Sequence, residues 1–501
     1  MKTVGQEFIE QAMVYPTNNA LFVDDKYYTY SELLGCVQGV YQLIRAQGVD
    51  YNRIGIFCTN DLITYASILA VSIYGAAYVP LNSSFPSDKN QGLINASEIE
   101  LLIHNDAVDL SFDLSNASFL PVNIEINHVG GFLDDNFGLD EVVNQQIAYI
   151  LFTSGTTGIP KAVAITKENL NSFFDFFEEN SAFQFNEKDR FIQAFELTFD
   201  VSVFSFFMPL KKGACCYIVP QHGFRFLEIL KMLKEKKITV ATMVPTFLSF
   251  AQKYFNQLQL PDLKYSLFIG DKLSKKLTEK WEQVIPHARI INFYGPTEAT
   301  VMCSFFVWDE FSKNQSLNDV VPIGDFFNEV VFEIINPTLE NGLVIGELCL
   351  FGNQVISKYL NDSYQHKFIE IENKRFYRTG DLVSINDYGN LNFHGRIDSQ
   401  VKINGFRVEL NEIEEAILQF SNERFALICF ENEEGVKKII LFIERFSDNE
   451  CAYLHNELRT VLPEYMIPSE IIPIQNIPLN SNSKIDLVSL KNIYQELNKK
   501  N

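Results

Sequence analysis

Several kinds of signal are scarce or missing in this sequence. The eight cysteines, Cys36, Cys58, Cys215, Cys216, Cys303, Cys349, Cys429 and Cys451, include no Cys-x-x-Cys pair and no Cys/His cluster at metal-ligand spacing. Neither a structural zinc site nor a dithiol couple is signalled, and most of these cysteines sit in apolar runs and read as small core residues. The start, Met1-Lys-Thr-Val-Gly-Gln-Glu7, lacks the basic segment and apolar core of a signal peptide. The longest apolar stretches, such as residues 68–81, carry glycine and fall short of a membrane span. No membrane insertion is expected, and a reduced cytoplasm is the consistent location. Basic charge is in deficit: 41 lysines and arginines face 63 acids, a net charge of -22. Such a field repels nucleic-acid phosphates and anionic membranes, so neither is expected as a partner. Lys231, Lys234, Lys236 and Lys237 do cluster; on a helix they read as a solvated face, with docking of an acidic partner as the alternative. There is no internal repeat and no low-complexity linker.

What is present points to a layered enzyme. A chain of 501 residues with 47% hydrophobic content has ample apolar surface to bury, but it is too long for one compact core. Short apolar strands alternate with amphipathic helices, the pattern of α/β architecture. Residues 54–58, 147–152, 238–244 and 290–293 read as strands. Residues 61–74, closed by Gly75, and 167–180 read as helices. After Gly395-Arg-Ile-Asp398 the texture changes. Residues 411–420 carry a helical stripe of Ile413, Ala416, Ile417 and Phe420. Residues 425–430 and 437–443 suggest a β-hairpin. Helices are expected near 456–461 and after Leu487. We place a boundary near Asp398, giving a large domain over 1–397 and a small α+β domain over 398–501.

One stretch stands out: Tyr149-Ile-Leu-Phe-Thr-Ser-Gly-Thr-Thr-Gly-Ile-Pro-Lys161. A buried strand runs into a loop of Thr153, Ser154, Gly155, Thr156, Thr157, Gly158 and Lys161. Glycines let backbone N–H groups turn toward an anion, hydroxyls add donors and the lysine adds charge. The loop suits phosphate, yet it is no Walker A loop, because Pro160 stands where that pattern needs glycine. Alone, it would read as a polar turn. Five further segments accompany it. They are Ala194-Phe-Glu-Leu-Thr-Phe-Asp-Val-Ser202, Asn292-Phe-Tyr-Gly-Pro-Thr-Glu298, Tyr377-Arg-Thr-Gly-Asp-Leu382, Gly395-Arg-Ile-Asp-Ser-Gln-Val-Lys-Ile-Asn-Gly-Phe-Arg-Val-Glu409 and Asn482-Ser-Lys-Ile-Asp486. The third reads as an acid within a tight turn.

In this order the six segments resemble the core motifs of the adenylate-forming superfamily, which includes peptide-synthetase adenylation domains, acyl-CoA synthetases and luciferases. Tyr30-Ser-Glu-Leu33 and Gly75-Ala-Ala-Tyr-Val-Pro-Leu81 agree, so the resemblance runs over nearly the whole chain. Within the superfamily the chain is most similar to stand-alone amino-acid adenylating enzymes of the D-alanine–carrier-protein ligase type. The implied fold is a large domain of α/β and β subdomains with a small mobile α+β lid. The implied reaction joins a carboxylate to ATP, releases pyrophosphate, and passes the acyl group from AMP to a thiol. With no phosphopantetheine-attachment signature in the chain, any carrier protein is expected to act in trans.

The resemblance also implies roles. The 153–161 loop would hold the β,γ-phosphates, Thr297 would donate to the α-phosphate, and Glu298 would ligate Mg2+. Tyr294 would stack on adenine, with Asn292 in the same nucleotide-binding set. Asp381 would accept both ribose hydroxyls and Arg396 would contact ribose or phosphate. Lys484 would neutralise charge between the α-phosphate and the substrate carboxylate. Asp398 would be the hinge about which the small domain turns, bringing in Lys484 for adenylation and the Gly405 loop for thiol transfer. Taken singly, these residues have plainer readings: Tyr294 as a core aromatic, Glu298 as a helix-start acid, Asp381 as a turn former, Arg396 as one half of a surface ion pair.

For the substrate, the matching acid is Asp200, which would pair with an α-ammonium; the plainer reading is an N-cap for the helix that follows. Motif alignment sets Val201, Phe204, Thr242, Leu267, Ile269, Phe293, Val301 and Met302 around the substrate side chain. These residues carry no charge, and a buried charged side chain would go unpaired among them. A small or medium apolar amino acid is expected. Two departures from the family pattern stand out. Ala162 follows Lys161 where glycine is usual, and Glu196 stands where a small residue is usual. Facing the pocket, Glu196 would hold a second cationic or hydroxyl group; otherwise it is exposed or paired. An acyl- or aryl-CoA ligase on the same fold, and a catalytically silent nucleotide- or carrier-binding protein, are the alternatives.

Overall fold

The computed structural model describes residues 2–105, 112, 117–122, 137, 146–153, 161–221, 224–340, 342–360, 362–398, 400–403, 405–432, 435–479 and 485–500. Two compact units are present. The first takes in Met1–Ser83, Leu93–Thr153 and Lys161–Ile397; Asp398–Asn501 belongs to the second, with Ser84–Gly92.

In the first unit two mostly parallel sheets carry the strand before residue 154 and the 292–298 segment. One sheet has six strands in the order Ser118–Val122, Leu101–Asn105, Arg53–Cys58, Ala77–Asn82, Ile147–Thr153 and Lys161–Thr166. The last pair is antiparallel, so the chain leaves and re-enters the sheet at neighbouring positions, with Thr153 opposite Lys161. The other sheet has nine strands, with Arg289–Tyr294 beside Tyr265–Phe268 and then Val240–Met243. Strands covered on both faces need near-continuous apolar runs, and Tyr265–Phe268 and Val240–Met243 are buried at every position.

The helices follow the same logic. Leu62–Tyr74 is apolar on nearly every side and buried from Thr64 to Val71, as an all-round apolar helix must be. The Asp61 side chain caps its start, and Gly75 ends it at φ 94°. Lys167–Glu179 is amphipathic: Leu170, Phe173, Phe174 and Phe177 recur at helical spacing and are buried, whereas Asp175, Glu178 and Glu179 face out. Thr166 and Asn169 close its first turn as a reciprocal cap.

A third sheet of the first unit is antiparallel: Val330–Glu340, Leu343–Gly352, Lys374–Ile385 and Phe368–Ile371, with Leu391–Arg396 paired to Lys374–Ile385. Residues 377–382 differ here from their reading as a tight turn. They lie inside the long strand Lys374–Ile385, and Gly380 adopts φ 75° where the pairing shifts register. A bulge supplies within a strand the left-handed residue that composition alone assigns to a turn.

In the second unit the hairpin Gln400–Ile403/Phe406–Glu409 leads into the helix Leu410–Phe420. Strands Phe425–Glu431 and Lys437–Glu444 pair antiparallel, and Glu470–Ile474 adds in parallel. Helices Asp448–Val461 and Leu487–Lys500 complete it. The strand Glu470–Ile474 is absent from the sequence reading.

Candidate active site

Alternation along one strand separates two sets of candidate residues. In Arg289–Tyr294 successive side chains point to opposite faces, so Asn292 and Tyr294 share one face and Phe293 takes the other. The chain then turns sharply. A Cβ on Gly295 would meet Met302 Cα at 2.4 Å, so no other residue fits there. Pro296 leads into a single 3-10 turn, Thr297–Ala299. Thr300 and Val301 follow at φ 53° and 71°. Consecutive non-glycine residues in this region are strained, by about 1–3 kcal/mol each, and something must hold them. Gln354 does so: its Nε2 donates to Ala299 O at 2.8 Å and its backbone O accepts from Thr300 Oγ1 at 2.6 Å. Glu298 is fully buried and is the acid of this single 3-10 turn. Thr297 is half-buried.

Asp381 gathers two of the candidate nucleotide residues, Tyr294 and Arg396. Thr379 Oγ1 donates to Leu348 O at 2.8 Å and accepts from Asp381 N at 3.0 Å, fixing the strand at the bulge. One carboxylate oxygen of Asp381 accepts from the Tyr294 hydroxyl at 2.6 Å, and the other from Arg396 Nη1 at 2.5 Å. Arg396 Nη2 also donates to Thr379 O at 3.1 Å. Burial, then the Asp381 charge, push the Tyr294 hydroxyl well above the ordinary tyrosine range, which keeps it a donor. Tyr294 is thus a buried aromatic tied through its hydroxyl to Asp381. A carboxylate has four lone-pair sites, so each oxygen can take a further donor. Asn292 Nδ2 donates to Pro322 O at 2.9 Å, while its buried Oδ1 has no partner among the described residues.

Beside this network, the Tyr359 hydroxyl donates to Glu298 Oε1 at 2.7 Å. Burial and the Glu298 charge raise the Tyr359 pKa in turn. Tyr364 packs edge-on against Tyr359 with ring centroids 5.5 Å apart, and the buried Lys161 holds its Nζ 5.2 Å from the Tyr364 ring centre. Lys161 and Glu298 are therefore joined through two tyrosines that motif reading missed. Only their position after the antiparallel hairpin could have drawn notice. Thr153 is buried at the end of its strand. Ser154, Gly155, Thr156, Thr157, Gly158 and Lys484 lie outside the described residues.

On the substrate side, Asp200 stands at the head of helix Val201–Lys211 but makes no side-chain cap bond. The N-cap reading is overturned: Asp200 is itself in helical conformation (φ -60°, ψ -29°), from which the side chain does not reach back to the first turn. The side chain is half-buried. Burial first, then Tyr78 and the Asp200 charge, raise the pKa of the buried Tyr149. Thr242 and Leu267 are direct cross-strand partners, and Leu267 pairs with Ile291. Thr242, Leu267, Ile269 and Phe293 thus share one face of the nine-stranded sheet. Val201, Phe204, Val301 and Met302 are buried as well. Glu196 is paired: its carboxylate accepts from Arg225 Nη1, Asn82 Nδ2 and Gln221 Nε2, each at 3.1 Å. In the second unit, the carboxylate of Asp398 accepts from Gln400 N at 3.4 Å.

The strand-to-turn segment at 292–298, the bulged acid and the buried lysine on a layered α/β frame define the class of adenylate-forming enzymes. The family described as AMP-binding enzyme matches residues 8–360, and the chain belongs to it. That description makes the chain a member of an enzyme family. It is 31% identical to the Delta-poly-L-ornithine synthetase of Acinetobacter baumannii over 97% of its length, although it spans only 36% of that relative. It is 29% identical to the D-alanine–D-alanyl carrier protein ligase of Lactococcus lactis, covering 98% of both chains. Among solved structures it resembles the Vibrio cholerae adenylation domain AlmE in complex with glycyl-adenosine-5'-phosphate, at a TM-score of 0.83 and 27% identity over 98% of each chain. Among the described residues no helix is long and apolar enough to cross a membrane, and no group of three or more His, Cys, Asp or Glu could hold a metal ion.

Proposed function

We propose that the protein activates a small or medium apolar amino acid as its adenylate and transfers it to the phosphopantetheine thiol of a separate carrier protein. The substrate carboxylate attacks the α-phosphorus of ATP, the bond to the bridging oxygen breaks, and pyrophosphate leaves. The thiol then attacks the acyl carbon and AMP departs. Little acid–base work is needed; positioning and charge neutralisation carry the first step.

The observation that carries the amino-acid reading is Asp200. It is half-buried, makes no side-chain cap bond, and stands at the head of the helix that carries the buried Val201 and Phe204. An enclosed ammonium needs a counter-charge, and Asp200 would supply it. The names of two relatives, a D-alanyl carrier protein ligase and a domain bound to a glycyl adenylate, support both the amino acid and the carrier. Asn292 Oδ1, a buried acceptor, would suit the adenine amino group, with Tyr294 against the ring. Asp381 would receive the ribose hydroxyls beside its present donors, Tyr294 and Arg396. Thr297 and the 153–161 loop would contact the phosphates, as Lys484 would.

Mg2+ is implied by this class, and the residues fit it. One buried carboxylate, with no acidic cluster among the described residues, suits an ion that takes most of its ligands from water and phosphate. Glu298 would hold it, and it would neutralise phosphate charge. The two units would act as a large nucleotide- and substrate-binding domain and a mobile domain, with Asp398 as hinge. Asp398→Pro is then expected to slow thioester formation more than adenylation.

The test is ATP–pyrophosphate exchange driven by a panel of D- and L-amino acids, β-alanine, benzoate and a fatty acid, with Lys484→Ala as control. Exchange with an apolar amino acid, lost in the control, supports the reading. Exchange with benzoate or the fatty acid alone would overturn the role of Asp200.

A further inference from the structure

The sequence holds 44 phenylalanines, and a dense group of them lies behind the candidate substrate side-chain wall. Phe204 and Phe293 come from different elements, a helix and a strand. Both are packed against one residue of a third element: Phe177, on the helix Lys167–Glu179, lies 4.9 Å from the Phe204 ring centre and 6.1 Å from that of Phe293. Phe177 is in turn held edge-on by Phe173, Phe183 and Phe327 at 5.4, 5.0 and 5.8 Å. Protein atoms alone bury Phe204 to 0%, Phe293 to 2% and Met302 to 0% exposure. Side chains lining a deep open pocket keep some exposure; these do not. The wall is therefore closed from behind by packing, and the packed interior does not yield freely to a larger guest. Asp200, one helical turn before Phe204, remains half-buried, so an ammonium can be met there while Phe204 itself has no exposed face.

We propose that Phe177 is a specificity-determining positioning residue: by backing Phe204 and Phe293 together, it limits the substrate side chain to the size of hydrogen or methyl, so that glycine or alanine is activated. This rests on the amino-acid reading above and deepens it. Phe177 touches no reacting atom; it acts through the two rings it braces. The other described rings against Phe204, Phe173 and Phe185, both lie farther from it, at 6.3 Å.

The experiment measures pyrophosphate exchange with glycine, alanine, 2-aminobutyrate, valine, leucine and phenylalanine, for the wild type, Phe177→Leu and Phe177→Ala. ATP binding and thermal unfolding serve as folding controls. For the wild type, kcat/KM is expected to fall at least tenfold from alanine to valine and further to leucine. Phe177→Ala should narrow the alanine-to-leucine ratio at least tenfold, mainly through the KM of the larger amino acids, and Phe177→Leu should shift it less. If Phe177→Ala does not fold, the ratio in Phe177→Leu decides. A merely structural role would lower all amino acids alike and leave the ratio unchanged, which overturns the proposal. Efficient wild-type activation of leucine or phenylalanine also overturns it, while leaving amino-acid activation intact. Exchange with no amino acid but with benzoate or a fatty acid would instead bring down the reading beneath it.

Discussion

The two ends of the candidate site are built on opposite principles. At the candidate nucleotide end, buried polar atoms pair with one another, Tyr294 and Arg396 on Asp381, Tyr359 on Glu298, Thr379 on the backbone that carries Asp381, with Asn292 Oδ1 left as an acceptor among the described residues. At the side-chain end, hydrocarbon fills hydrocarbon, and Phe204 and Phe293 of the candidate wall are braced by the Phe177 ring. A polar network recognises a ligand by adding donors to lone pairs already oriented, so little has to move. A packed apolar wall recognises by the room it leaves, and errs only by about 1–3 kcal/mol per methylene. The nucleotide end should therefore fail sharply when one atom is changed, and the side-chain end should fail by degrees.

The largest effect is expected at Asp381. Asp381→Ala leaves the Arg396 guanidinium, whose side chain is 11% exposed, without its counter-charge. Breaking one half of such a pair costs about 3–5 kcal/mol, so thermal unfolding should drop by several degrees and pyrophosphate exchange should vanish. Adding Arg396→Ala should recover part of the stability and none of the activity. Recovery of both would mean that the pair is structural only.

Glu298→Gln separates chemistry from architecture at the same end. The amide oxygen can still accept from Tyr359, so the unfolding temperature should hold. The negative charge is lost, and exchange should fall by roughly 10²–10³-fold, the scale of a removed electrostatic stabiliser. A stability loss equal to that of Asp381→Ala would contradict the assignment. At the other end, Asp200→Asn removes a charged partner worth about 1.5–3 kcal/mol. It should raise the amino-acid KM by roughly tenfold to a hundredfold and leave the ATP KM unchanged. Equal shifts in both constants would argue that Asp200 shapes the helix and not the substrate.

These contrasts also explain what was legible in the sequence. The segment 292–298 reveals itself locally: an apolar strand, a glycine with no room for a Cβ, and an acid directly after the turn. The buried helix Leu62–Tyr74 and its glycine stop are local too. Asp381 was identifiable, but its setting was not, because Thr-Gly-Asp has the composition of a turn and the register shift that makes it a bulge depends on the partner strand Leu343–Gly352. Tyr359 reaches Glu298 across 61 positions of chain, and Gln354 clamps Thr300 across 54. No periodicity reports such contacts. Asp200 was legible twice over, as a cap and as an ammonium partner, and helical geometry at the residue itself removed the first.

Glu196 gives the smallest expected effect and the finest test of the contrast. The acid stands four residues before Asp200, and an acid aimed into the pocket would make the side-chain end partly polar. Its three bonds instead run to Asn82, Gln221 and Arg225. Burial lowers the Arg225 pKa, and the neighbouring Glu196 charge works against that shift. The pair is only partly covered, with side chains 33% and 19% exposed, and Glu196→Gln keeps one acceptor oxygen for the same donors. The loss in stability should be about 1 kcal/mol or less, and the order of preference among amino acids should not change. Were Glu196 a pocket residue, the same substitution would abolish a preference for a hydroxylated or cationic amino acid, and lysine, ornithine or serine would lead the wild-type profile. Measured beside Asp200→Asn, the variant asks whether charge at the substrate end is confined to the ammonium or extends to the side chain. Confinement is what the bonds of Glu196 require.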